Sequence, residues 1–375
     1  MIIVRYGEIG TKSRRSRARI EGKLVKNIKL VVDADVRREY GRIFVDSSAH
    51  KDAEMIARVF GVVSTSLAVL VPSSMKEIID TGKRYALTRI KKGESFAVRA
   101  RRTGKHDYKS ADVASKLGDV IRRGAQARVD LEKPDHTIYV EVRDGDAYIF
   151  DEVIQGVGGL PLGSQGTALA LISGGIDSPV AAWMMMKRGL DVSALFMDPQ
   201  PLVDKRTIDR ARNTIKKLAS WRGGPIKTYI APYGDSLIQL LKAKDHSLGC
   251  VLCKRMIYRV GEEVANIEGA KALITGENLG QVASQTADNL AAITAVTNMP
   301  VFRPLIGLDK MEIIELAKKI GTYEVSIAPA NCCLGPPRHP ATSSSVKRLE
   351  KAESALPIKD MVKEMLAGLV VEELM

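Results

Sequence analysis

Four cysteines stand out in the 375-residue chain: Cys250, Cys253, Cys332 and Cys333, with none in the first 249 positions. So few, in so long a chain, do not make a disulfide framework, and their confinement to one half looks like a site. A second chemical signal is the run ALALISGGIDSPVAAW, in which an apolar strand enters Ser173-Gly174-Gly175 and a helix begins near Asp177. Two glycines let backbone approach a phosphate closely, and the helix N-terminus offers N–H groups and the positive end of its dipole. Ser173 and Ser178 carry hydroxyls that donate to phosphate oxygens. Asp177 is out of place beside a phosphate unless it holds a metal ion or positions a reacting group. No GK[ST] follows, so this is not a Walker loop. Gly156 to Gly166 is glycine-rich too, but it precedes a strand rather than following one. It therefore reads as a linker and not as a dinucleotide fingerprint.

These groups need elements to hold them. From Ala168 strand and helix patterns alternate: ALALI, DSPVAAWMMMKRG, LDVSALFM, KRTIDRARNTIKKLAS, KTYIA, KRMIYRVGEEVANI, AKALIT. Such alternation predicts a doubly wound parallel sheet with ligands beyond the carboxyl ends of its strands. Asp309 and Glu312 fit a capping box, with Ile313, Leu316, Ala317 and Ile320 as one apolar stripe. The Met184–Met186 triplet reads as helix packing. Before residue 155 the pattern is α+β around a mainly antiparallel sheet. IIVRYGEI and RIFVDSS read as strands flanking a basic amphipathic helix. A second unit follows from about Lys51, with STSLAVLV, SFAVRARR, HTIYVEVRD and AYIFDEVI as strands.

Charge separates the halves. Residues 1–150 contain 31 Lys and Arg against 20 Asp and Glu, whereas residues 151–375 contain 26 against 24. A basic N-terminal half attracts polyanions, phosphate backbones above all. Arg99, Arg101, Arg102 and Lys105 lie at a strand end and in the following loop, and alternation puts Arg99 and Arg101 on one face. Arg14, Arg15, Arg17 and Arg19 form a second basic cluster, and Tyr108 is available to stack on a base. No apolar run reaches a membrane-spanning length and no secretory leader opens the chain, so a soluble, cytoplasmic protein with no membrane partner is expected.

SGGIDS resembles the PP-loop of ATP pyrophosphatases, which cleave ATP between its α and β phosphates. TGENLGQVASQT, RPLIGLDKMEIIELAKKIGTYEVSI, VRYGEIGTK and VDLEKPDHTIYVEVRDGDAYIF look like the tRNA 4-thiouridine synthetase family, over about residues 1–340. The resemblance implies a ferredoxin-like subdomain (1–50), a THUMP RNA-binding domain (51–154), a glycine-rich linker (155–167) and a PP-loop domain (168–375). It implies tRNA as partner, uridine 8 as target, and ATP with Mg2+ as the activating pair. Carried over, the ATP contacts are Leu171, Ile172, Ser173, Gly174, Gly175, Ser178, Phe196, Met197, Lys254, Gly276 and Gln285, with Asp177 as a catalytic residue. PANCCLGPP places the catalytic cysteine at Cys332.

The chain departs from many bacterial members in two ways. After about Arg338 only a short helix-prone tail remains, with no room for a rhodanese-like sulfur carrier. Sulfur must then come from sulfide or a cysteine desulfurase. The second departure is the CVLC pair, Cys250 and Cys253. With Cys332 these can ligate three irons of a 4Fe-4S cluster, leaving one iron open. Alternatively Cys332 carries a persulfide that Cys250 or Cys253 resolves as a disulfide. A structural zinc site lacks an evident fourth ligand, and Cys333 is assigned to packing. Family members are often dimers, so the resemblance admits a homodimer, but no residue pattern here fixes the oligomeric state.

Overall fold

The computed structural model describes residues 1–39, 41–329 and 337–375. The chain divides into two compact units, Met1–Gly159 and Leu160–Met375.

The first unit holds two sheets. β1 (Ile2–Tyr6), α1 (Arg14–Lys29), β2 (Val36–Glu39), β3 (Arg42–Val45), α2 (His50–Ala57) and β4 (Val62–Leu67) begin it. Next come β5 (Val69–Pro72), α3 (Met75–Leu87), β6 (Ser95–Arg102), α4 (Ser110–Ala125), β7 (Arg128–Val129), β8 (His136–Arg143), β9 (Asp146–Phe150) and β10 (Ile154–Gln155). The sheets run β10-β4-β1-β3-β2 and β5-β9-β8-β6-β7. Three expectations change here. The boundary read at 50/51 falls inside the first sheet, because β4 pairs antiparallel with β1. STSLAVLV is also two strands, not one: the chain passes from one sheet to the other at Ala68, which is 5% exposed. Nor is the second sheet mainly antiparallel, since β6 pairs parallel with both β7 and β8.

The glycine-rich stretch begins as part of the first sheet rather than as a free linker. β10 pairs with β4, and the Gly156 and Gly158 amides donate to Val63 and Val62 carbonyls at 2.7 Å. A Cβ on Gly156 would stand 2.2 Å from the Val62 carbonyl oxygen, so only glycine fits.

The second unit contains β11 (Thr167–Ile172), α5 (Asp177–Lys187), β12 (Asp191–Asp198), α6 (Lys205–Arg222), β13 (Ile226–Pro232), α7 (Gly234–Leu241), α8 (Gly249–Glu268) and β14 (Leu273–Ile274). They are followed by α9 (Ala287–Thr294), β15 (Val301–Phe302), α10 (Lys310–Ile320), α11 (Tyr323–Ser326), α12 (Val346–Glu353), α13 (Ile358–Ala367) and β16 (Val370–Leu374). Strand order is β15-β14-β11-β12-β13-β16, parallel except for β16. Helix-prone as it is, the tail thus also supplies an antiparallel edge strand. Asp309 Oδ1 accepts from the Met311 and Glu312 amides at 2.7 and 3.0 Å, and Glu312 returns a bond to the Asp309 amide, completing the predicted capping box. Met186 packs fully buried, as expected for a helix interior. Among the described residues no helix is long and apolar enough to cross a membrane.

Candidate functional site

The glycine loop sits at the carboxyl end of β11, an internal strand of the parallel sheet. Gly174 has φ +76°, a left-handed conformation that a side chain would strain. The loop is braced from within: the Ser173 amide donates to Ser178 Oγ at 3.0 Å, and the two hydroxyl oxygens are 3.2 Å apart. Gly276, after β14, presses on the start of α5, where a Cβ would lie 2.6 Å from the Ser178 nitrogen. That backbone-to-backbone approach fixes this glycine cradle against the start of α5, whose N-terminus carries the positive end of the helix dipole.

Beside the cradle is a cavity of about 200 Å³ whose lining includes Leu171, Ile172, Ser173, Phe196, Met197 and Thr207. Parallel pairing puts Phe196 level with Ile172, so the aromatic ring and the strand end share one rim. Of the residues carried over as ATP contacts, Leu171, Ile172, Ser173, Phe196 and Met197 line this slot, whereas Gly174, Gly175, Ser178, Lys254, Gly276 and Gln285 are not in its lining.

The polar members are more engaged than a reading of residue types could show. Asp177 accepts from Lys310 Nζ at 2.5 Å and from Gln281 Nε2 at 3.0 Å. Lys254 Nζ lies 3.1 Å from Glu277, a carboxylate 5% exposed that also takes Arg303 Nε at 2.8 Å and the Tyr258 hydroxyl at 2.5 Å. Burial would push the Glu277 pKa up, but the Lys254 charge and its hydrogen-bonding neighbours outweigh it and hold the carboxyl below its ordinary value. Gln285 accepts from the Asn278 amide at 3.4 Å, bracing the loop that carries Gly276 and Glu277. Sequence reasoning did not reach Lys310, Arg303 and Glu277 as site residues. All three stand within motifs quoted for the resemblance, but their pairings span 23 to 133 positions and no local pattern signals them.

Cys250 and Cys253 are half-buried in the first turns of α8, on one face at i and i+3, and Cys253 also lines the cavity. Cys332, the third member of the expected set, lies outside the described residues, as does Cys333. No group of three or more His, Cys, Asp or Glu side chains capable of holding a metal occurs among the described residues. A cluster or a magnesium ion would therefore need a donor from outside that set, a residue at 330–336 or the nucleotide's own phosphates.

In the first unit, Arg99 and Arg101 project from one face of β6, Arg99 exposed and Arg101 beside it at the open end of the strand. They line a cavity of about 240 Å³ with Arg5, Arg42, Tyr139, Glu141 and Phe150. Glu141 takes Arg42 Nε at 2.9 Å, Arg143 Nε at 3.0 Å and Arg5 at 3.7 Å. Burial lowers the Arg5 pKa to about 10 despite Glu141. Arg102 falls on the other face, donating to the Gly104 carbonyl, and Lys105 is exposed in the turn. Arg99 likewise donates to the Leu131 carbonyl at 3.1 Å, and two further candidates are engaged within the chain. Arg17 donates to the Gly10 and Lys12 carbonyls, and the Tyr108 hydroxyl donates to the Ser73 carbonyl.

A glycine cradle on a parallel sheet, preceded by a basic α+β unit, defines the class: a PP-loop nucleotide-binding protein with an N-terminal RNA-binding module. Family models agree. The thiamine biosynthesis protein (ThiI) model matches residues 163–358, the THUMP domain 72–152, and the ThiI ferredoxin-like domain 1–66. A probable tRNA sulfurtransferase of Methanosarcina mazei is 41% identical over 98% of this chain and 93% of its own length. One from Methanobrevibacter smithii is 41% identical over 97% of both chains. The crystal structure of a 4-thiouridine synthetase–RNA complex with bound ATP superposes with TM-score 0.90 at 34% identity, covering 100% of this chain and 99% of that one. The chain belongs to the ThiI family of tRNA sulfurtransferases.

Proposed function

We propose that this cytoplasmic enzyme uses ATP to activate O4 of uridine 8 in tRNA and replaces that oxygen by sulfur, giving 4-thiouridine, AMP and pyrophosphate. The observation that carries the reading is the cradle itself: Gly174 left-handed, Gly276 against the start of α5, and an apolar slot opening beside them. Adenine occupies the slot against Phe196 and Met197, and the phosphates lie over Ser173–Ser178. Uridine O4 attacks the α-phosphorus and pyrophosphate leaves. A sulfur nucleophile then adds at C4, and AMP departs with the original oxygen. Asp177, neutralised by Lys310 and steadied by Gln281, positions the reacting phosphate; it is the residue that would hold Mg2+, which would supply charge stabilisation to the phosphates. Lys254, next in sequence to the slot residue Cys253, is held by Glu277 at 3.1 Å. The 1–159 unit, with Arg99 and Arg101 at the mouth of its basic cavity, grips the tRNA backbone.

The sulfur passes through Cys332, with Cys250 and Cys253 as its partners. An iron–sulfur cluster on these three would supply an open iron that binds sulfide; without one, Cys332 takes a sulfane sulfur from a persulfide donor, Cys250 or Cys253 forms a disulfide with Cys332 as that sulfur leaves for C4, and a thiol reductant reopens the disulfide. Anaerobically prepared protein, assayed for iron and for thiolation of tRNA with ATP and either sulfide or a persulfide donor, decides between the two: iron with sulfide-supported activity means the cluster, and no iron with activity only from the persulfide donor means the relay. Asp177→Ala should abolish 4-thiouridine formation and leave tRNA affinity unchanged. Full thiolation by that variant would sink the proposed chemistry.

A further inference from the structure

One face of α6 runs along the nucleotide site. Thr207 lines the slot, and Arg210, one turn further on, comes against the loop. Its Nε stands 3.5 Å from the position a Cβ on Gly174 would take. The residue is only 7% exposed, and its Nη1 donates to the Ala328 carbonyl at 3.1 Å. A guanidinium sheltered from water interacts strongly with anionic charge brought beside it, and its planar fork suits phosphate oxygens. Arg210 is not part of the slot lining, so it is displaced from the adenine side toward the glycines.

We propose that Arg210 is a further nucleotide-binding residue, contacting the phosphates of ATP beyond the α-phosphate. The proposal rests on the nucleotide reading above and adds a residue to it. The bond to Ala328 gives the same side chain a second attachment, tying the cradle to the segment after α11. A purely structural Arg210 would do no more than make that tie. The two roles differ in what they do to AMP, which lacks the distal phosphates.

Calorimetric titration of the full chain with Mg-ATP and with AMP separates them, using Arg210→Met, which keeps the bulk, and Arg210→Lys, which keeps the charge. For Arg210→Met the affinity for ATP should fall about tenfold or more, as when a charge-assisted bond to phosphate is removed, and that for AMP by less than about twofold. Arg210→Lys should recover part of the ATP affinity. Equal weakening of ATP and AMP, or no weakening of either, would overturn the proposal. Should Arg210→Met fail to fold, judged by its melting curve, the ATP-to-AMP ratio in Arg210→Lys decides by the same criterion. If the unaltered chain binds no ATP, the nucleotide reading itself fails.

Discussion

The two units bury carboxylates in opposite styles. In the first, Glu141 is shared by three arginines, and Arg99 and Arg101 add to the same cavity, so positive charge is left over at a surface open to solvent. In the second, Glu353 is clasped inside the fold by Arg255 at 2.8 Å and by Arg259 at 2.8 Å, with Arg255 only 2% exposed. Glu277 is enclosed in the same way by Lys254 and Arg303. Surplus cations near water attract a polyanion at long range. Enclosed pairs attract nothing and instead fix the elements that carry them, here α8 with its two cysteines against α12. One unit leaves its charge at the surface and the other encloses it.

The largest break in that comparison should come from Arg255→Ala. It leaves Glu353 buried with one partner fewer, and the Leu160–Met375 unit should lose about 3–5 kcal/mol in urea unfolding. A loss below about 1 kcal/mol would show the pair is not structural. Gly276→Ala comes next. Its methyl forces the start of α5 away from the strand ends, and displacement on that scale costs roughly 100-fold in rate. Thiolation should fall accordingly, while tRNA retention on filters stays normal.

Acid gives a third, smaller test. Glu277 and Glu353 both have folded pKa values held below the ordinary 4.5 by their cationic and hydrogen-bonding neighbours, against the opposing effect of burial. A lowered folded pKa stabilises fully above the unfolded value, and that contribution disappears as pH falls through the folded one. Thermal melts should therefore be flat near neutrality and fall steeply below 4.5, less steeply in Glu277→Gln. The smallest effect belongs to the open surface. Arg99→Ala with Arg101→Ala should weaken tRNA binding for all sequences and reduce the salt slope of log K by about 1 for each phosphate no longer neutralised. An unchanged slope would remove the cavity from the RNA path.

Much of the second unit was legible because its signals are local. Ser173–Ser178 declares itself by two glycines at a strand–helix junction, and Asp309 with Glu312 by spacing alone. The ion pairs were not legible: nothing near Asp177 announces Lys310, which arrives from 133 positions downstream. The first unit misled for a different reason. STSLAVLV is uniformly strand-like, and no residue in it marks where one sheet is left for another. That switch is set by which partners are already in place, β1 on one side and β9 on the other.

The switch at Ala68 has a counterpart. Thr65 pairs with Ile154, so the chain leaves the first sheet and re-enters it at neighbouring places. Everything from β5 to β9 is thus a cassette spliced between two strands of a host. The two are not independent, however: excising the cassette would uncover Ile3 and Phe44, which pack against its Tyr148 and Phe150, and would strip Arg5 and Arg42 of Glu141, so host and cassette share one core.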